Sequence, residues 1–177
     1  IVLFTSDNGP ERNTPGTAAP LRGTKHTVLE GGLRVPCIAW GPGRVPAGRV
    51  CGEFVTAMDV LPTLAELSGG RVPAGCAVDG SSVAPLLLGT AGAGSPRKNL
   101  YALYGLNQRR QQSMRDGPWK LHLGAVPQLY NLDAVAYETN NVAAAHPDIV
   151  TRLMVLADGI RAATLRGDPA GPAPGTP

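Results

Sequence analysis

Ile1-Val2-Leu3-Phe4-Thr5-Ser6-Asp7-Asn8-Gly9-Pro10 opens the chain and decides how the rest is read. Four apolar residues, rich in β-branching, predict a buried strand entered midway, and the polar Gly/Pro run behind them predicts a tight turn. Asp7 and Asn8 then stand at a strand end, where a carboxylate and an amide carbonyl offer the hard oxygens that Ca²⁺ or Mg²⁺ prefers. The same dipeptide also suits an Asx turn before Gly9-Pro10. Two oxygens do not complete a divalent site, so a metal there needs further carboxylates from elsewhere. A strand entered midway, with no Met before it, leads us to expect sequence upstream.

Moving outward, residues 11–32 show no sustained period and are rich in Gly, Pro and Thr, which predicts a long loop, the kind that in compact domains usually carries function. Lys25 lies in it. A lysine near a metal can hold a tetrahedral anion as a compact positive charge, although a lysine read alone is more often a solvated surface charge. Arg22 and Arg34 are further anion-binding candidates, and either can instead pair with Glu30 across Gly31-Gly32. Residues 33–40 predict a second buried strand interrupted by Pro36. Asp59 predicts a helix cap, with Pro62 in the first turn, Gly69 closing the end, and Leu61, Leu64 and Leu67 facing the core.

The Gly/Ala/Ser stretch 89–96 reads as a subdomain linker. Beyond it the pattern turns antiparallel, with short strands at 100–104, 113–115, 119–123 and 128–132 and a hairpin turn at Asp116-Gly117. Ile149, Leu153, Leu156 and Ile160 recur at helical spacing behind Pro147-Asp148, which predicts a last helix to about residue 161. The Gly/Pro-rich tail 167–177 is expected to be disordered. Three parts follow: 1–96 within a main α/β domain, 97–166 as an antiparallel β subdomain with a packed helix, and the tail.

A formal charge of +3, spread along the chain, gives no electrostatic stripe for nucleic acid. No stretch is apolar enough for a membrane span. Cys37, Cys51 and Cys76 lack metal-ligand spacing; a Cys37–Cys51 or Cys51–Cys76 disulfide and free, partly buried thiols are both open. His26, His122 and His146 each stand without a ligand-type neighbour at metal spacing.

Taken together, several ordered motifs resemble the sulfatase family, with its alkaline-phosphatase-like α/β fold. Thr5 to Gly9 is similar to its second metal-ligand motif, and Leu21 to Pro36, containing K-H-T-V-L-E-G-G-L-R-V-P, to its lysine loop. Asp59 to Thr63 resembles the D-x-x-P-T helix start, and Asp79 to Leu88 the D-G-x-S-x-x-P-L-L segment. Arg115 to Leu121 and Leu129 to His146 resemble the C-terminal hairpin and the strand and loop that follow it. The resemblance implies Asp7 and Asn8 as Ca²⁺ ligands and Lys25 as a contact to substrate sulfate. It also implies a formylglycine nucleophile made within C-x-P-x-R or S-x-P-x-R, a motif absent from these residues. The rest of the calcium site and the catalytic histidines would come from upstream too. The expectation is therefore the C-terminal portion of a sulfatase, inactive by itself, acting in the full protein on a sulfate-ester small molecule or sulfated glycan. By the same analogy it is secreted, periplasmic or lysosomal. A phosphate- or phosphonate-ester hydrolase of the same superfold and a non-catalytic sulfatase-like binding module are the competing readings.

Overall fold

The computed structural model describes residues 1–106 and 109–166; the tail expected at 167–177 lies outside them. The elements are β1 (Val2–Thr5), α1 (Glu30–Leu33), β2 (Cys37–Trp40), α2 (Val60–Leu67), α3 (Ala84–Leu87), β3 (Asn99–Leu106), β4 (Arg109–Asp116), β5 (Trp119–His122), β6 (Gln128–Asn131) and α4 (Pro147–Arg166). Two compact units emerge. One holds Ile1–Phe4, Ile38–Lys98 and residues from Ala162; the other holds Thr5–Cys37 and Asn99–Arg161.

In the second unit β3 to β6 form an antiparallel meander in sequence order. Asp116 pairs with Trp119, which leaves Gly117-Pro118 as the hairpin loop. Gly117 has φ 56°, the left-handed value that a tight two-residue turn demands at its first position. Cross-strand pairs Met114–Leu121 and Leu121–Leu129 line one face of the sheet. With Leu153 and Ala157 of α4 they form a fully buried core. Strand side chains alternate between faces, so the neighbours Ser113, Arg115, Lys120 and His122 must project to the other side. The sheet thus has an apolar face for α4 and a polar face for something else.

The first unit is organised around Asp59, and here the sequence expectation needs correction. Asp59 lies at the end of the short 3₁₀ turn Ala57–Asp59 and makes no cap to α2. Its carboxylate instead accepts the Thr56 N–H at 2.8 Å, the Ser81 N–H at 2.9 Å and the Arg97 guanidinium at 3.0 Å. Burial pushes the pKa of this carboxyl up, but Arg97 and the N–H donors outweigh it and hold the carboxyl below its ordinary range. The buried side of α2 is Thr63, whose hydroxyl donates to the Asp59 carbonyl and accepts from Val83 N–H. These polar contacts set the roll of the helix, so Leu61 and Leu64 face outward, at 61% and 44% exposure. Gly69 does take the left-handed closing conformation, with φ 75°.

Three further expectations change. Leu33 ends α1, and β2 begins only after Pro36, because proline has no N–H for a ladder and restricts the residue before it. β1 forms, paired with β2, yet it is exposed where a buried strand was expected. All three cysteines are free and exposed, with neither disulfide formed. Within the 89–96 stretch Ser95 is buried, its N–H on the Glu53 carboxylate at 2.8 Å.

Candidate active site

The turn after β1 and the lysine loop lie in the same unit and touch through their backbones. Gly9 N–H donates to the Gly32 carbonyl at 3.0 Å, and Lys25 N–H donates to the Pro10 carbonyl at 2.9 Å. A Cβ on Gly9 would lie 1.8 Å from the Gly31 carbonyl oxygen, so only glycine permits this approach. Asp7 is exposed and Asn8 half-buried, with the Ser6 hydroxyl on the Asn8 carbonyl at 2.8 Å.

Lys25 is partly exposed, and its Nζ lies 3.7 Å from Glu11 Oε2. His26, at φ 70°, brings Nε2 to 3.3 Å from the same oxygen. An exposed pair of this kind is worth at most about 1 kcal/mol, so an incoming anion can displace Glu11 from the lysine. Residues 10–24 also enclose a cleft of about 300 Å³, lined by Glu11, Arg12, Thr14, Thr17 and Thr24 among others; it does not include Asp7, Asn8 or Lys25.

Asp7 and Asn8 fit calcium in kind, as hard oxygens, but not in number. Calcium takes six to eight oxygens, and among the described residues no group of three or more His, Cys, Asp or Glu side chains gathers to hold a metal.

The polar face of the sheet supplies what the sequence did not reveal. Glu30, expected to pair with Arg22 or Arg34, is engaged by Lys120 of β5 at 2.7 Å, with Arg115 Nη1 at 3.7 Å. Lys120 also reaches Glu138 Oε1 at 3.1 Å, and His122 Nε2 lies 2.6 Å from that oxygen. Arg22 donates instead to the Glu138 backbone carbonyl at 2.7 Å. Glu138 and Lys120 are fully buried. Burial pushes the Glu138 carboxyl up, yet the His122 contact, the Lys120 charge and the Glu30 N–H bring it below its ordinary range. Along β5 Lys120 reads as an ordinary solvated lysine between core-facing Trp119 and Leu121, so only the facing loop betrays its burial.

Solved structures share this architecture. The protein titled Ps i-CgsB in complex with k-i-k-neocarrahexaose superposes with TM-score 0.80 and 28% identity, over 89% of this chain and 35% of that one. The phosphonate monoester hydrolase of Agrobacterium radiobacter does so with TM-score 0.63 and 25% identity, over 90% of this chain and 34% of that one. The fold is thus that of the sulfatases and the alkaline-phosphatase-like hydrolases. In sequence, the Sulfatase family model matches residues 1–70. Arylsulfatase A of Bos taurus is 37% identical over 158 residues, which are 85% of this chain and 30% of the relative. The chain belongs to the sulfatase family, and it spans about a third or less of the length of the relatives it matches.

Proposed function

We propose that this chain is the C-terminal portion of a calcium-dependent sulfatase that hydrolyses the sulfate ester of a small molecule or a sulfated glycan. The observation that carries the reading is the pair of backbone hydrogen bonds tying Lys25 and Gly32 to the turn behind Asp7 and Asn8. These bonds bring the backbone of the lysine loop against the turn that follows Asp7 and Asn8, which supports a shared site for an anionic ester.

In this reading Asp7 and Asn8 would supply part of the ligand set of a calcium ion, whose positive charge would withdraw electrons from the ester. Lys25 binds a non-bridging oxygen and stabilises the negative charge that grows there as the S–O bond breaks. Glu11 holds the lysine until substrate arrives. A formylglycine nucleophile and the remaining ligands belong to parts of the protein outside these 177 residues, so residues 1–177 alone are inactive. The full protein works in a secreted, periplasmic or lysosomal compartment; within the described residues no helix is long and apolar enough to cross a membrane.

The test is Lys25→Ala in the full-length enzyme. An electrostatic group of this kind contributes about 10² to 10³ in kcat, whereas a solvated lysine changes activity less than about twofold. Lys25→Arg rescues only partly, because a planar guanidinium is not a point charge. Near-normal turnover in the alanine variant returns Lys25 to the surface. The likeness to a phosphonate monoester hydrolase favours a second reading, hydrolysis of phosphonate or phosphate esters. Turnover of 4-nitrophenyl sulfate against phenyl phosphonate by the full-length enzyme separates the two. A non-catalytic module would lack a C-x-P-x-R or S-x-P-x-R motif in its full-length sequence.

A further inference from the structure

We propose that Glu138 and Arg22 form a clamp that positions Lys25, with Glu138 holding both ends of the lysine loop from the polar side of the sheet. The proposal rests on the reading of Lys25 as the sulfate contact.

The loop that carries Lys25 has two anchored ends. At its start, Arg22 Nη1 donates to the Glu138 carbonyl at 2.7 Å. At its finish, Glu30 N–H donates to Glu138 Oε2 at 2.7 Å. The ends are also joined to each other, since Gly31 N–H donates to the Arg22 carbonyl at 2.7 Å. A Cβ on Gly31 would fall 2.5 Å from the Gly23 carbonyl oxygen, so the two arms run backbone against backbone. Lys25 sits between these arms, and its orientation follows from where they are held.

One residue can hold both arms only if its carbonyl and its carboxylate face the same loop. Glu138 adopts φ 54°, a left-handed conformation that costs a non-glycine residue about 1 kcal/mol or more. That strain is maintained by a buried ion cluster. Lys120 bridges Glu30 Oε1 and Glu138 Oε1, and His122 bears on the latter. A buried carboxylate left without these partners would be strongly destabilised, which favours the arrangement that keeps all of them. Neither Arg22 nor Glu138 needs to touch the ester; both act through Lys25.

A double-mutant cycle on the full-length enzyme with 4-nitrophenyl sulfate tests this. Arg22→Ala leaves the buried carboxylates and Lys120 in place, so thermal unfolding should shift little. It should lower kcat roughly ten- to hundredfold, because small misplacements of a charge-stabilising group cost that much. Arg22→Lys, which can still donate to the Glu138 carbonyl, should recover part of the loss. In the Lys25→Ala background the same Arg22→Ala change should cost less than about twofold, since the group it positions is gone. Glu138→Gln, which keeps the side-chain volume, should show the same non-additivity with Lys25→Ala and serves if Arg22→Ala does not fold. An equal loss in both backgrounds, or no loss in either, overturns the clamp. Wild-type kinetics in Lys25→Ala itself overturns the Lys25 reading, and the clamp with it, by a distinct pattern.

Discussion

In the four-stranded sheet Met114, Leu121 and Leu129 have no exposed surface, whereas on the two-stranded ribbon Phe4 is 66% and Trp40 62% exposed. Both sets are large apolar side chains, and both sit in strands. The difference lies in what covers them. The meander carries its own cover, because α4 follows in the same chain and lays Leu153 and Ala157 on the apolar face. Nothing of that kind lies on β1 and β2 among the described residues, and an apolar run specifies a strand without specifying its burial. A second contrast runs through the meander itself: one face is closed by hydrocarbon and the other by ions.

Substitutions on each face and on the ribbon test these contrasts. The largest effect is expected at the ionic face. Lys120→Met removes the one ammonium shared by Glu30 and Glu138, leaving buried carboxylates short of charge. It should cost about 3–5 kcal/mol in urea unfolding. A loss below about 1 kcal/mol would mean that the cluster is hydrated and that the two faces differ less than their geometry implies.

On the apolar face, Leu121→Ala should cost about 2–5 kcal/mol, placed toward the middle of that range because it packs between Met114 and Leu129 on both sides. A much smaller cost would show that α4 settles into the vacated space.

Acid should act next. Asp59 and Glu138 both titrate below their ordinary range when folded, so their stabilisation is complete above the unfolded carboxylate value of about 4. It is lost as pH falls through the lower folded values. The thermal midpoint should therefore decline below about pH 4, and Glu138→Gln should flatten that decline. An unchanged slope in the variant would assign the acid sensitivity to other carboxylates.

The smallest effect belongs to the ribbon. In the 177-residue chain Trp40→Ser should change stability by no more than about 0.5 kcal/mol, as exposed substitutions usually do. A large loss would mean that the ribbon is covered in solution.

How much of this was legible in the sequence depends on how far each signal travels along the chain. The meander was, because alternation and a Gly turn are local, and so was the last helix from its apolar spacing. The turn at Asp7 and Asn8 and the lysine loop were legible as motifs, whereas the backbone hydrogen bonds between them were not. The clamp was not. Lys120 lies 90 residues from Glu30, and Glu138 lies 108 residues from it, so no pattern in either neighbourhood names the partner. Glu30 was offered two arginines nearby and took a lysine from a distant strand. On α2 three leucines at intervals of three promised a core, but a buried aspartate and a threonine hydroxyl fixed the helix and turned Leu61 and Leu64 outward.

The exposed thiol of Cys37 opens β2, in the strand whose other members include Ile38 and Trp40. A small alkylating reagent reacts with a thiol at a rate governed by access and thiolate fraction. Cys37 is therefore a reporter already installed on the ribbon, with exposed Cys51 and Cys76 as internal references on the same chain. The ratio of their modification rates, read by mass spectrometry in the 177-residue chain and again in the full-length protein, measures how completely the ribbon is shielded in each.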